Sequence, residues 1–192
     1  MTRALVAGAL VAAALAGIAV VKRPALAQTS APTHAPERSI KAAYLYKFAG
    51  YVDWPASRFR SNEAPILIGV AGDAALAEEL GRISAGRTIA GRSILAREIN
   101  ADDAIDELEV LFVAGPDSSA LERLLAAAAA SPEAILTVTE TERLPDGSVI
   151  NFVADHDRVR FEVALQAAER EGLKLNSRLL AVASRVYRGP AR

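Results

Sequence analysis

Three short apolar runs constrain this chain more than any other feature: Pro65–Ala71 (Pro-Ile-Leu-Ile-Gly-Val-Ala), Leu108–Ala114 (Leu-Glu-Val-Leu-Phe-Val-Ala) and Ala134–Thr139. Runs this short, without polar–apolar alternation, suit strands buried on both faces, as in a parallel sheet. Parallel neighbours need long crossovers, usually helical. Helix-forming segments stand where such crossovers belong. Ala74–Ile83 follows the candidate N-cap Asp73, and the Leu/Ala-rich Ser118–Ala130 follows the turn Gly115-Pro116-Asp117. Ser93–Ile99 reads as a further strand after the break at Gly91-Arg92, and the acidic Asn100–Glu107 as a short helix or turn.

The pattern changes at both ends. A helix is predicted from Pro36 to Val52, with Ile40, Tyr44, Phe48 and Val52 at four-residue spacing and Leu45 widening the stripe. Trp54-Pro55 ends it, because a residue before proline is pushed out of the α region. After the turn Pro145-Asp146-Gly147, Val149–Ala154 and Arg158–Val163 read as a hairpin joined by Asp155-His156-Asp157. Ala164–Glu171 is a helix stopped by Gly172, and Asn176 or Ser177 caps a last helix reaching Tyr187. The sum is an α/β fold: a three-layer sandwich whose mostly parallel sheet carries a C-terminal antiparallel hairpin and is flanked by helices.

The chain has 192 residues, enough for one domain with its own core. Its start reads as an export signal. Arg3 supplies the positive charge, Ala4–Val21 is unbroken in small and apolar residues, and Ala25-Leu26-Ala27 gives the small-x-small cleavage pattern. The expected organisation is a signal peptide over 1–27, a Pro-containing linker over 28–36, one α/β domain over 37–188 and a tail over 189–192. Lys22 and Arg23, between the apolar run and the cut, leave an uncleaved anchor as the alternative. Cleavage after Ala27 would leave 19 basic against 23 acidic residues, a net of −4. Nucleic-acid binding is not expected of such a chain, because that affinity rests on clustered Lys and Arg. Without cysteine, disulfides, thiolate metal sites and thiol catalysis are excluded.

The residues show no catalytic constellation. There is no Gly-x-Ser-x-Gly elbow, and Gly69-Val70-Ala71-Gly72-Asp73 lacks the spacing of either phosphate-binding fingerprint. His34 falls in the linker. His156 reads either as a metal or acid–base group or as part of a solvated turn, and the turn is preferred. Asp102, Asp103, Asp106, Glu107 and Glu109 read as a solvated acidic face rather than a calcium loop. No metal, cofactor or catalytic residue is expected. Aromatic and arginine side chains concentrate in one place, where Tyr44, Tyr46, Phe48 and Tyr51 lead to Trp54, Arg58 and Arg60. Such clusters are enriched at binding hot spots. The candidate partner- or ligand-binding residues are therefore Trp54, Arg58 and Arg60. Arg178, Arg185 and Arg188 near the C-terminus are a second candidate surface, with a solvated face as the alternative.

Several stretches, in order, resemble the YfiR family of exported bacterial proteins: Ile40–Ala49 running on to Val52-Asp53-Trp54-Pro55; Gly91-Arg92 with Ile94 and Arg97; Val110–Val113; Leu136–Glu140; Gly147–Phe152; and Arg160–Val163 through Ala167-Ala168 to Leu175–Leu180. The first and fifth are the most specific. The resemblance implies a periplasmic, non-enzymatic α/β sandwich that dimerises. It implies restraint of an inner-membrane diguanylate cyclase by binding its periplasmic sensor region. It departs from members that carry regulatory disulfides, since this chain has no cysteine. The alternative is a periplasmic small-ligand-binding protein using a strand-end crevice.

Overall fold

A computed structural model describes residues 34–189 except 116, 156 and 157. The expected signal peptide, residues 28–33 of the linker, His156 and residues 190–192 of the tail lie outside the described residues. The described chain runs through α1 (His34–Gly50), β1 (Val52–Asp53), a single 3-10 turn (Ala56–Arg58), β2 (Ile66–Ala71), α2 (Ala74–Ser84), β3 (Thr88–Ile89), β4 (Arg92–Glu98), β5 (Val110–Val113) and α3 (Ser118–Ala130). It continues through β6 (Leu136–Glu140), β7 (Ile150–Asp155), β8 (Arg158–Ala164), α4 (Leu165–Arg170), β9 (Lys174–Leu175), α5 (Ser177–Val182) and β10 (Arg185–Tyr187). Thus α1 begins inside the stretch expected to be linker.

The eight-stranded sheet has the order β10-β8-β7-β6-β5-β2-β4-β3, and β1 with β9 makes a separate two-stranded ribbon. The three apolar runs form β2, β5 and β6, side by side and parallel, with β4 parallel to β2 and β7 parallel to β6. β7 and β8 form the expected antiparallel hairpin. Alternation along β5 shows why both faces need cover: Val110 and Phe112 join one apolar cluster, Leu111 and Val113 the other. The first cluster takes in α1, α2, α4 and α5 through Leu45, Leu80, Ala167 and Leu179. The second takes in α3 through Leu124 and Ala128, and the segment before β5 through Ile99, Ile105 and Leu108. This is a three-layer α/β sandwich. Asp73 and Asp117 cap α2 and α3 by accepting from backbone N–H groups of the first turn.

Three local readings are corrected. The buried stripe of α1 is Ala42, Leu45, Phe48 and Ala49, whereas Ile40 is 45% exposed. Small alanines let the helix lie close to the sheet, which turns Ile40 outward. The last helix ends at Val182, and the chain then pairs as β10, parallel to β8. Ser184 fixes that switch by donating from its backbone N (2.8 Å) and its Oγ (2.7 Å) to the Phe161 carbonyl. Glu109 does not belong to a solvated acidic face: it is 3% exposed, at the entrance to β5, while Asp102, Asp103, Asp106 and Glu107 are exposed.

The Gly147–Phe152 stretch owes its polar residues to structure. Asn151, fully buried on β7, accepts from Thr139 Oγ1 (2.9 Å), Thr141 N (3.0 Å) and Thr141 Oγ1 (3.0 Å), and donates to the Thr141 carbonyl (3.0 Å). Thr139 Oγ1 also lies 2.9 Å from Ser148 Oγ, and Thr137 Oγ1 donates to the Gly147 carbonyl at 2.9 Å. β6 and β7 are parallel neighbours joined without a helix, and this network satisfies the polar groups that the short return buries.

Candidate functional site at the exit of the first helix

The chain leaves α1 through β1, whose Val52 and Asp53 face Leu175 and Lys174 of β9. Trp54 then turns back. Its indole Nε1 donates to the Ala49 carbonyl at 3.0 Å, one of the orphan carbonyls at the end of α1, and its half-buried ring packs against the larger core cluster. Pro55 and the 3-10 turn bring Arg58 under the amino-terminal ends of β5 and β6.

Arg58 is a buried clamp. Its side chain is 6% exposed, and its Nη2 donates to the carbonyls of Asp106 (2.9 Å) and Leu108 (2.7 Å). The same guanidinium lies 3.4 Å from the carboxylate of Glu109, itself 4% exposed, and 3.4 Å from that of Glu133. Glu109 also accepts from the Leu67 backbone N at 2.6 Å. Burial raises the pKa of the Glu109 carboxyl above its ordinary value, against the Leu67 hydrogen bond and the Arg58 charge. One guanidinium thus ties the α1 exit to β2, β5 and the approach to β6.

A second arginine holds the rest of the segment. Arg92 of β4 lies 3.7 Å from the centroid of the Phe59 ring and donates to the carbonyls of Ser61 (2.7 Å) and Ala64 (2.8 Å). Arg92 is the residue of the Gly91-Arg92 motif, and glycine serves there because φ is +80° in the two-residue turn between β3 and β4. What remains on the surface is Asp53, Pro55, Ser57, Arg60, Ser61, Asn62 and Glu63. Arg60 is 89% exposed and reaches Glu107 at 3.3 Å, a pair that contributes little in solvent.

The three candidate residues therefore have different situations. Trp54 locks the helix end, Arg58 is consumed in the fold, and Arg60 alone projects into solvent from a held backbone, where it meets the exposed Glu107. Sequence reasoning missed Glu109 and Arg92 as the partners that order this segment. A carboxylate set inside the run Leu108–Ala114 was the available signal, since a charge there must be paired.

The opposite end of the sheet is where an α/β protein ordinarily holds a small ligand. Strand order reverses between β2 and β5, and α2 and α3 cover opposite faces. The crevice is closed at its base. Ala114 N donates to the Ala71 carbonyl at 2.9 Å, and a Cβ on Gly72, at φ +84°, would stand 2.1 Å from the Ala114 carbonyl oxygen. Nearby, Lys41 bridges Glu37 (2.7 Å) and Glu140 (2.6 Å), and Arg38 lies 3.4 Å from Asp73. A pocket of about 270 Å³ between α1 and α2 is lined by Arg38, Ser39, Ala75, Glu78, Glu79 and Arg82. Its charges already engage one another: Ser39 Oγ and Arg82 Nη2 both donate to Glu79 Oε1 at 2.7 Å. Arg82 first, and then Ser39, hold the Glu79 carboxyl down to about 2. Among the described residues no group of three His, Asp or Glu side chains is placed to hold a metal ion, and no helix is long and apolar enough to cross a membrane.

No curated protein sequence is similar enough to this chain to count as a relative. A family model does match, the one described as YfiR/HmsC-like, over residues 38–184, from the first turns of α1 to the residue before β10. That span is most of the chain and takes in the α1 exit, the Gly91-Arg92 turn and the Thr139–Asn151 network: the chain belongs to the YfiR/HmsC-like family.

Proposed function

We propose that this chain is an exported, non-enzymatic regulator that acts in the periplasm by docking on the sensor region of an inner-membrane protein, and that this protein is a diguanylate cyclase. Family membership supports the regulatory reading. The observation that carries the docking is the α1 exit. Two arginines from beneath, Arg58 and Arg92, fix a segment whose outward side chains, Arg60 foremost, take no part in that clamp. A surface ordered before binding loses little entropy on association. Docking restrains the enzyme only if it favours one receptor conformation, so the mechanism is a population shift. Association of two copies belongs to this reading, as does removal of residues 1–27.

The pocket between α1 and α2 favours a second reading, a small-ligand-binding protein. Its internally paired charges and the closed strand-end crevice argue for the first.

The test is cellular cyclic-di-GMP in a strain lacking the gene. A rise reversed by the intact gene, but not by a copy lacking Met1–Ala27, is the expected result. An unchanged level, with the protein present in the parent strain, removes the cyclase from the account.

A further inference from the structure

Charge is unevenly divided along this chain. Residues 28–157 hold 11 basic and 20 acidic side chains, whereas residues 158–192 hold 8 basic and 3 acidic. The fold keeps the division in space. The C-terminal segment supplies β8, α4, β9, α5 and β10, and β10 with β8 forms one edge of the sheet. The acidic stretch 102–107 instead covers the face near β2 and β5, anchored by Ile105 and Leu108. Five strand positions separate β2 from β10, about 24 Å at ordinary strand spacing.

Each region mixes paired and unpaired cations. In the acidic part Arg38, Lys41, Arg58, Arg60, Arg82 and Arg123 each stand within 3.7 Å of a carboxylate, and in the basic part Arg170 stands 3.2 Å from Asp146. On the β10 edge, Arg160 and Arg185 approach carboxylates only to 3.8 Å. Arg158, Arg178 and Arg188 are exposed and form no ion pair among the described residues. An apolar side chain stands among them: Val182, at the end of α5, is 58% exposed. The Ser184 bonds to Phe161 seat that helix end beside β8.

We propose that the β10 edge, with α5, is a docking surface for an anionic phospholipid bilayer. Charge complementarity favours this occupant over a folded partner. Free arginines spread over β8, α5 and the residue after β10 suit a plane of headgroups, which demands no matching pocket. Val182 among arginines repeats the mixture of apolar and basic side chains that rests at a bilayer interface. The acidic remainder of the molecule is repelled by the same surface, so attraction at one edge also fixes orientation. The inference rests on the proposed function for its setting: a regulator held at the inner membrane finds a membrane-embedded target by a two-dimensional search. It leaves the α1 exit, at the amino ends of β2 and β5, free to engage that target.

The test compares binding of residues 28–192, the form left by removal of 1–27, to phosphatidylcholine vesicles with and without phosphatidylglycerol. Two triple variants carry the same change in net charge: R158Q/R178Q/R188Q on the edge, and K47Q/R87Q/R143Q elsewhere. The edge variant should bind anionic vesicles on the order of a hundredfold more weakly, with the other triple close to wild type and the difference screened by salt. Equal losses in both variants, or no loss in the edge variant, overturns the proposal. If the edge triple fails to fold, R188Q alone, beyond the last strand, serves with an expected drop of about fivefold. Vesicle binding judges the edge alone, and cyclic-di-GMP in the deletion strain judges the regulatory reading alone.

Discussion

At the carboxyl ends of the parallel strands, Lys41, Glu37 and Glu140 pair near the surface, Glu79 is held by Arg82 and Ser39, and the Gly72 and Ala114 backbones touch. At the amino ends, Arg58 and Glu109 meet with almost no exposure, and the chain above them is pinned by Arg92. The family of α/β folds usually places function at the first of these ends. Here that end is closed, and the second presents an ordered, outward-facing segment. The difference teaches that loops and buried charge pairs decide which end of the sheet is left open, even where topology offers a ready crevice.

The largest test of this contrast is Arg58→Ala. It leaves Glu109 buried without its cation and strips donors from the carbonyls of Asp106 and Leu108. Breaking such a buried pair costs about 3–5 kcal/mol, readable as a shift in urea midpoint. A loss below about 1 kcal/mol, the scale of a surface pair, would break the claim that the amino end is internally clamped.

Gly72→Ala probes the closed end. The new methyl would meet the Ala114 carbonyl and force a left-handed backbone on a non-glycine residue. A destabilisation of at least about 2 kcal/mol is expected from strain and overlap together. A neutral effect would mean that the two loops separate easily and that the crevice is available after all.

The two ends should also answer acid in opposite senses. Glu79, held down to about 2 from 4.5, lends stability that is fully present above its ordinary value and lost as pH falls towards 2. Glu109, raised by burial, does the reverse: the folded state holds its proton more tightly, so its contribution declines as pH rises above 4.5. Urea midpoints across pH should show Glu79→Gln flattening the acid limb and Glu109→Gln flattening the decline above it. Parallel slopes in the two variants would erase the distinction.

Much of the fold was legible because it rests on local rules. Continuous apolar runs gave β2, β5 and β6, Asp73 and Asp117 marked the starts of α2 and α3, and alternation through Val159, Phe161 and Val163 gave the hairpin. Strands of two or three residues carry no period, so β1, β3, β9 and β10 were not legible; each exists through its partner alone. The site was legible only in part. An arginine fifty-one positions before its carboxylate looks the same in sequence whether it points at solvent or at Glu109. Arg60, two residues on, shares its chemistry and has the opposite fate because no strand end lies above it.

The central claim is that the α1 exit is a docking surface held from below, and Arg60→Glu tests it most directly. An 89% exposed side chain leaves stability within about 0.5 kcal/mol of wild type, so the substitution changes the surface alone. The measurement is cellular cyclic-di-GMP in the deletion strain carrying either the R60E gene or, as control, R143E at another exposed arginine. The account predicts that R143E restores the parental level while R60E, present at normal abundance, leaves it raised. Full restoration by both would contradict it and move the docking surface elsewhere on the molecule.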